Sequence, residues 1–314
     1  FKCTLSTRRL TWTIHMTMLQ GGLMRFKTAV EKYLRTRQFN SLSYATQKNY
    51  ESCLKSFCRM SLLGKTIGNV TVTNFTTILC TEMYDTWEAE SSTSNANHKS
   101  RVFSVLMNYL VSMDFIPHNC MARVRKRTST PRSVIWTHDQ VVSFLDTAFT
   151  KFEWRNIGLI VMMCYEWGQR PVDIRNLKWT DIDGDVVKIT QSKRGATVEL
   201  PVPDNLMQML QQQREDWDFQ DYVVPHHRPQ DSAYRPLTVS QMTALLREVK
   251  ATAGLPDELQ VGDLRKTAIV EMIEGGVDHL AIQSVSGHKN VASLNPYNKF
   301  SLNTAKAALE RRQR

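Results

Sequence analysis

Apolar residues recur at helical spacing along the first part of the chain, over residues 24–37, 43–60, 71–89 and 95–114, as in Tyr50, Leu54 and Phe57 or Val102, Leu106, Tyr109 and Leu110. This spacing predicts a four-helix, all-α first domain over 24–116. At Pro117 the periodicity stops and a basic, polar run follows, Arg123-Val-Arg-Lys-Arg-Thr-Ser-Thr-Pro-Arg132, so 117–136 reads as an interdomain linker. Periodicity resumes near residue 138, with Thr137 as a plausible N-cap. It is densest over 154–167, where Ile157, Leu159, Ile160, Val161, Met162 and Met163 predict the core helix of a second domain, 137–314. Gly168 offers a helix stop and Pro171 suits the first turn of the next helix, which puts Arg170 at a tight junction. The β-branched run Val186–Gln191, the turn Lys193-Arg-Gly195 and the run Thr197–Leu200 predict a β-hairpin with Lys193 at its tip. Helices over 238–250, 263–274, 278–285 and 301–312 complete the set. The fold class is therefore mainly α, with a small β-sheet or hairpin in the C-terminal domain.

The length of 314 residues exceeds what one hydrophobic core serves and agrees with two domains. A hydrophobic share of 42% with 22% charged residues is that of a globular protein rather than a disordered one. No apolar run approaches the roughly 18 residues that span a bilayer, so no membrane association is expected. Cys3, Cys53, Cys58, Cys80, Cys120 and Cys164 are scattered without CxxC spacing, which argues against a zinc site or a disulfide framework and fits a reducing cytoplasm. With no carboxylate cluster and no Gly-rich phosphate loop either, neither a metal nor another cofactor is expected. Residues 1–23 read as an N-terminal extension, either disordered or preceding the native start, for which Met16, Met18 and Met24 are candidates.

Charge changes the picture. Residues 1–136 hold 19 Lys+Arg against 7 Asp+Glu, whereas residues 137–314 hold 21 against 23, so the net charge of +10 resides in the first half. A polyanionic partner would account for this, because each Lys or Arg that neutralises a phosphate releases a condensed counterion; a solvated basic surface would look the same. On the predicted helices and linker, Lys48, Lys55, Lys99, Arg101, Arg125, Lys126 and Arg127 are the candidate phosphate contacts.

Four segments carry a more specific pattern: Gly168-Gln-Arg170-Pro-Val-Asp173, Gln191-Ser-Lys193-Arg-Gly195, Asp263-Leu-Arg265-Lys-Thr267, and Gly287-His288 followed by Asn295-Pro-Tyr297. In order and spacing they resemble the active-site motifs of the tyrosine recombinase (phage integrase) family. The resemblance covers the second half of the chain and, more weakly, the helical first half. It implies a two-domain, DNA-clamping architecture, an all-α core-binding domain plus a mixed α+β catalytic domain. It further implies strand cleavage and rejoining through a 3′-phosphotyrosyl intermediate, in the integration or excision of a phage or mobile element. The implied partners are double-stranded DNA, a homotetramer on two DNA sites, and accessory DNA-bending or directionality proteins. The implied location is the host cytoplasm or nucleoid.

The residue chemistry agrees with these roles. Attack on a phosphodiester builds charge on non-bridging oxygens, which planar guanidinium forks suit, so Arg170 and Arg265 are the candidate phosphate contacts. Tyr297 is the candidate nucleophile and Lys193 the candidate general acid for the departing 5′ oxygen. His288 follows a helix stop expected at Gly287 and is placed to bond the phosphate or position the tyrosine. Asp173 either orients an arginine or simply suits the positive end of a helix. Where the family usually has a histidine, three residues before the second arginine, this chain has Gly262, with His226 or His227 as a remote substitute. That departure keeps two other readings open, a catalytically weakened or inactive DNA-binding relative and a type IB topoisomerase-like enzyme. The segment 301–312, with Leu302, Ala305 and Leu309 on one side, reads as a helix that docks on its own domain or on a neighbouring protomer.

Overall fold

The computed structural model describes residues 24–193, 195–229, 232–297 and 309, so residues 1–23 and the expected terminal helix, save for Leu309, lie outside it. The chain divides into two compact units, one ending at Arg132 and one beginning at Ser133, each with its own hydrophobic core.

The first unit contains α1 (Phe26–Leu34), α2 (Arg37–Asn40), α3 (Tyr44–Arg59), α4 (Thr77–Glu90) and α5 (Thr93–Ser112). Hydroxyl caps set its boundaries. Thr36 Oγ1 accepts from Phe39 N at 3.1 Å, which is why the helix expected over 24–37 breaks in two. Thr76 Oγ1 accepts from Leu79 N at 3.2 Å, so the helix expected from residue 71 starts only at Thr77. Residues 72–74 form a 3-10 turn that buries Val72 instead. The core is aromatic: Phe57 stacks on Trp87 at 4.7 Å and Phe26 on Phe103 at 5.5 Å, and all four rings are buried. Each ring contributes on the order of 2 kcal/mol by leaving water.

Two features depart from expectation here. An all-α unit was expected, yet β1 (Ser61–Leu62) and β2 (Lys65–Thr66) pair as a minimal antiparallel hairpin. Its tip, Leu63-Gly64, takes positive φ at both residues (49° and 72°), the twist a two-residue hairpin requires and one that a pattern of apolar positions does not reveal. The basic stretch at 117–136 is also anchored at both ends. Cys120, Met121 and Val124 are buried in the first core, and Tyr84 Oη accepts from Arg127 N at 3.0 Å. Trp136 is buried in the second core.

The second unit wraps around α7 (Phe152–Glu166), whose residues Ile157 to Cys164 are all buried. Before it lies α6 (His138–Ala148), opened by a reciprocal capping box between Thr137 and Gln140. After it come α8 (Pro171–Ile174), a three-stranded antiparallel sheet of β3 (Ile182–Asp183), β4 (Val186–Thr190) and β5 (Thr197–Pro201), and α9 (Asp204–Trp217). The chain continues through α10 (Val239–Ala253), α11 (Val261–Glu274) and α12 (His279–Ser286) to a 3-10 segment, Val291–Tyr297. Helix α9 was not expected from the sequence. It buries Leu206, Leu210, Gln213 and Trp217, and the buried Gln213 amide donates to Asn156 Oδ1 at 2.7 Å and to Val223 O at 2.9 Å. A polar member of the buried face obscured its amphipathic pattern.

Among the described residues no helix is long and apolar enough to cross a membrane.

Candidate active site

The site forms where the ends of α7, α11 and α12 meet the turn end of the β4–β5 hairpin. Gly168 takes φ +57° and turns the chain sharply out of α7. Arg170 then sits at the N-cap of α8 with Pro171 in the first turn, so its side chain starts from a fixed backbone, and its guanidinium is partly exposed. Helix α11 is tied to the start of the unit by Trp136, whose N–H donates to Thr267 Oγ1 at 3.0 Å and whose indole donates to Gln260 O at 3.1 Å. This helix carries Arg265, which is only 6% exposed.

Arg265 is held by main-chain acceptors from two other elements. Its Nη1 donates to Gly168 O at 3.0 Å and its Nη2 to Ser286 O at 2.7 Å. The His288 ring lies against the same nitrogen, with Nε2 at 3.3 Å, while its Nδ1 is 2.7 Å from Ser286 Oγ. Gly287, at φ +69°, ends α12 in the left-handed conformation and turns His288 back over Arg265. The Tyr297 ring is 6.1 Å from that of His288 at a 57° tilt, on a small apolar cluster of Ile269, Ile282 and Leu294. Arg170 Nη1 donates to Gln191 Oε1 at 3.1 Å, and Gln191 Nε2 donates to Ser286 O at 2.8 Å. Arg170, Arg265, His288 and Tyr297 are thus linked by a chain of contacts, although 127 positions separate the first from the last.

Lys193 is exposed on the turn joining β4 to β5, a turn closed by Gly195 N donating to Gln191 O at 2.8 Å. The buried Asp173 carboxylate holds that turn. Its Oδ1 accepts from Ser192 N at 2.8 Å and from Ser192 Oγ at 2.6 Å, and its Oδ2 lies 3.8 Å from Arg170 Nη1. Both sequence readings of Asp173 therefore understate it, since it joins Arg170 to the segment that carries Lys193. Gly262 occupies the first turn of α11, and a Cβ added there would meet nothing within 4 Å. His226 and His227 stack on each other at 4.5 Å, and His226 Nδ1 accepts from Arg228 N.

Three site residues were not anticipated as functional: Gln169, Gln191 and Ser286, all fully buried. The alternation of β4, with Val187 and Ile189 inward, continues to Gln191, so a glutamine on the core side of a strand was the available signal.

In the first unit Lys48, Arg101, Arg125 and Lys126 are exposed. Others are engaged within the protein: Lys55 pairs with Glu51 at 2.5 Å, Lys99 approaches Glu90 at 4.0 Å, and Arg127 pairs with Glu88. Among the described residues no group of three or more His, Cys, Asp or Glu side chains is arranged to hold a metal.

Two buried or half-buried guanidiniums and an imidazole beside a tyrosine form an electropositive, preorganised setting suited to an oxyanion. The protein resembles solved integrases in fold. One is a lambda integrase dimer bound to a COC' core site, at TM-score 0.74 and 18% identity over 94% of this chain and 84% of that one. Another is the Tn1549 transposon integrase in complex with a circular intermediate DNA, at TM-score 0.72 and 16% identity over 92% and 99% of the two chains. In sequence, it is 27% identical over 157 residues to the tyrosine recombinase XerA of Thermococcus onnurineus, covering 49% of this chain and 54% of that protein. A putative integrase/recombinase of Sinorhizobium fredii, y4eF, is 24% identical over 62% of this chain and 75% of its own length. The chain spans about half the length of the XerA relatives it matches. The family model described as "Phage integrase family" matches residues 135–303, more than half of the chain and all five of the motif positions from Arg170 to Tyr297, and the chain belongs to that family.

Proposed function

We propose that this protein is a site-specific DNA recombinase that cuts and rejoins double-stranded DNA through a 3′-phosphotyrosyl intermediate. The observation that carries this reading is the Arg265 guanidinium, which is held on two main-chain carbonyls and flanked by His288, with Arg170 and Tyr297 joined to the same network.

In the proposed reaction, Tyr297 Oη releases its proton to water and bonds to phosphorus as the bond to the 5′ oxygen breaks. Lys193 gives that oxygen a proton, and Arg170, Arg265 and His288 take up the charge on the non-bridging oxygens. The phosphotyrosyl bond conserves the energy of the diester, so a 5′ hydroxyl from the same or a second duplex reverses the step without ATP. The first unit supplies phosphate contacts, from Lys48, Arg101, Arg125 and Lys126 at once and from Lys55, Lys99 and Arg127 after they release their carboxylates. Lys55–Glu51 is exposed on both sides, and Lys99–Glu90 and Arg127–Glu88 on one, which leaves these pairs weak enough to exchange.

Lambda integrase has been solved as a dimer on a core site and as a tetramer on a Holliday junction, which supports assembly as a homotetramer on two sites. Integration or excision of a mobile element, assistance from accessory DNA-bending or directionality proteins, and action in the cytoplasm belong to the same proposal. Gly262 favours a slower variant of the same chemistry, because position 262 itself offers no side chain to share in moving the tyrosine proton.

The test is incubation with nicked suicide duplexes, selected from a randomised pool by covalent capture. The wild type is expected to form an adduct that survives denaturation, and Tyr297→Phe to form none. Relaxation of any plasmid by the wild type, independent of site, would favour a topoisomerase instead.

A further inference from the structure

We propose that Gln191 is a positioning residue that sets both active-site arginines at once, and that Gly287 is glycine because Gln191 needs the space beside it. The effect on cleavage rests on the function proposed above, whereas the effect on the arginines does not.

The side chain of Gln191 is fully buried and every polar atom in it is engaged. Its Oε1 accepts from Arg170 Nη1 at 3.1 Å, and its Nε2 donates to Gln169 Oε1 at 2.8 Å and to Ser286 O at 2.8 Å. The amide orientation follows from its partners, because the nitrogen faces two acceptors and the oxygen faces a donor. Gln169 is oriented in turn by its own Nε2, which donates to Trp167 O at 3.0 Å and Val285 O at 2.6 Å. Ser286 O, the acceptor for Gln191, is also the acceptor for Arg265 Nη2. One amide therefore bonds the first guanidinium directly and shares an acceptor with the second.

Neither a carboxylate nor a hydrocarbon can do this. Glutamate would set an anionic oxygen against Ser286 O and Gln169 Oε1, and leucine would leave Arg170 without that acceptor and two buried acceptors short of a donor. The neighbouring Gly287 imposes the second condition. A Cβ there would lie 2.5 Å from Gln191 Nε2 and 2.8 Å from its Cδ, and φ is +69°. The backbone of Gln191 also closes the turn that carries Lys193, through Gln191 N to Ala196 O at 2.7 Å. The same residue thus ties the candidate general acid's turn to the arginine pair.

The test uses the full chain and two readouts. In the first, side-chain 15N–1H signals of Arg170 and Arg265, assigned by single Arg→Lys variants, are titrated with inorganic tungstate, a tetrahedral dianion. Gln191→Leu and Gln191→Glu are expected to weaken the response of both signals about tenfold or more, the scale of a hydrogen bond to a charged group. Gly287→Ala is expected to match them, and the Gly287→Ala/Gln191→Leu pair to be no worse than either alone, as for two changes acting through one contact. Thermal melts identify the variants that remain folded at the titration temperature, and the least disruptive folded one decides. In the second readout, single-turnover cleavage of the captured suicide duplex should slow by a similar factor with DNA affinity unchanged. Wild-type titration by folded variants, or additive losses in the pair, would overturn the proposal. If the wild type gives no adduct, the strand-cleavage reading fails while the tungstate titration still decides the role of Gln191.

Discussion

Replacing Asp173 should damage the second unit more than its position on a four-residue helix suggests. Its carboxylate is fully buried, with Oδ1 bonded to both Ser192 N and Ser192 Oγ and Oδ2 facing Arg170 Nη1 at 3.8 Å. Asp173→Ala removes two charge-assisted hydrogen bonds and the counter-charge of a guanidinium. Removing one partner of a fully buried pair costs about 3–5 kcal/mol. Arg170 is 24% exposed and keeps some water, so the lower end, about 3 kcal/mol, is the better figure. In a unit of this size 1 kcal/mol shifts Tm by about 2–4 °C, so a fall of about 6–12 °C is expected. Asp173→Asn retains the oxygen that Ser192 bonds but loses the charge and turns an amide NH2 toward Arg170 Nη1, so a smaller loss than in the alanine variant, about 1–2 kcal/mol, or about 2–8 °C, is expected. Calorimetry of the full chain reads this in the second unit's transition, the one that carries most of the tryptophan fluorescence change, because five of the seven tryptophans, Trp136, Trp154, Trp167, Trp179 and Trp217, lie there while Trp87 lies in the first unit. An alanine variant melting within about 2 °C of wild type, or an asparagine variant as unstable as the alanine one, would refute the reasoning.

Lys193→Ala should slow adduct formation by about a hundredfold or more, and a bridging sulfur in place of the 5′ oxygen should restore the rate, because a thiolate leaves without a proton. No restoration would remove Lys193 from the acid role. Gly262→Ala meets open space in the first turn of α11 and should raise the second unit's Tm by roughly 1–4 °C, while Gly262→His should speed adduct formation; a destabilised Gly262→Ala would contradict the described surroundings. Burial, and then the Arg101 charge, hold the pKa of His98 below the ordinary histidine value of 6.5. Its contribution to the first unit's stability is therefore fully present above pH 6.5 and is lost as the pH falls through the lower folded-state value. Urea unfolding across that window should show the loss in wild type and a smaller one in His98→Gln; equal slopes would contradict the assignment.

Much of this was legible in the sequence because it rests on local signals. Thr137, Gly168, Pro171 and Asp278 mark helix ends, and each does so in the structure through its own cap, turn or first-turn geometry. The hairpin that carries Lys193 was legible because alternation and a glycine turn are short-range features. Less legible were features whose cause lies elsewhere in the chain. Nothing near Gln191 indicates that its amide reaches Ser286, 95 positions away, or that Gly287 is small on its account. Helix α9 was hidden because Gln213 stands on its buried face, and its partner Asn156 belongs to α7. The anchoring of 117–136 was hidden by charge, since Cys120, Met121 and Val124 are too few and too unevenly spaced to announce a core contact.

The central claim is that Tyr297 forms a covalent bond to DNA. Its most direct test is protease digestion of the trapped adduct followed by mass spectrometry of the nucleotide-bearing peptide. A 3′-phosphate esterified to Tyr297 is expected. A phosphate on any other residue, or attachment through a 5′ end, would contradict it.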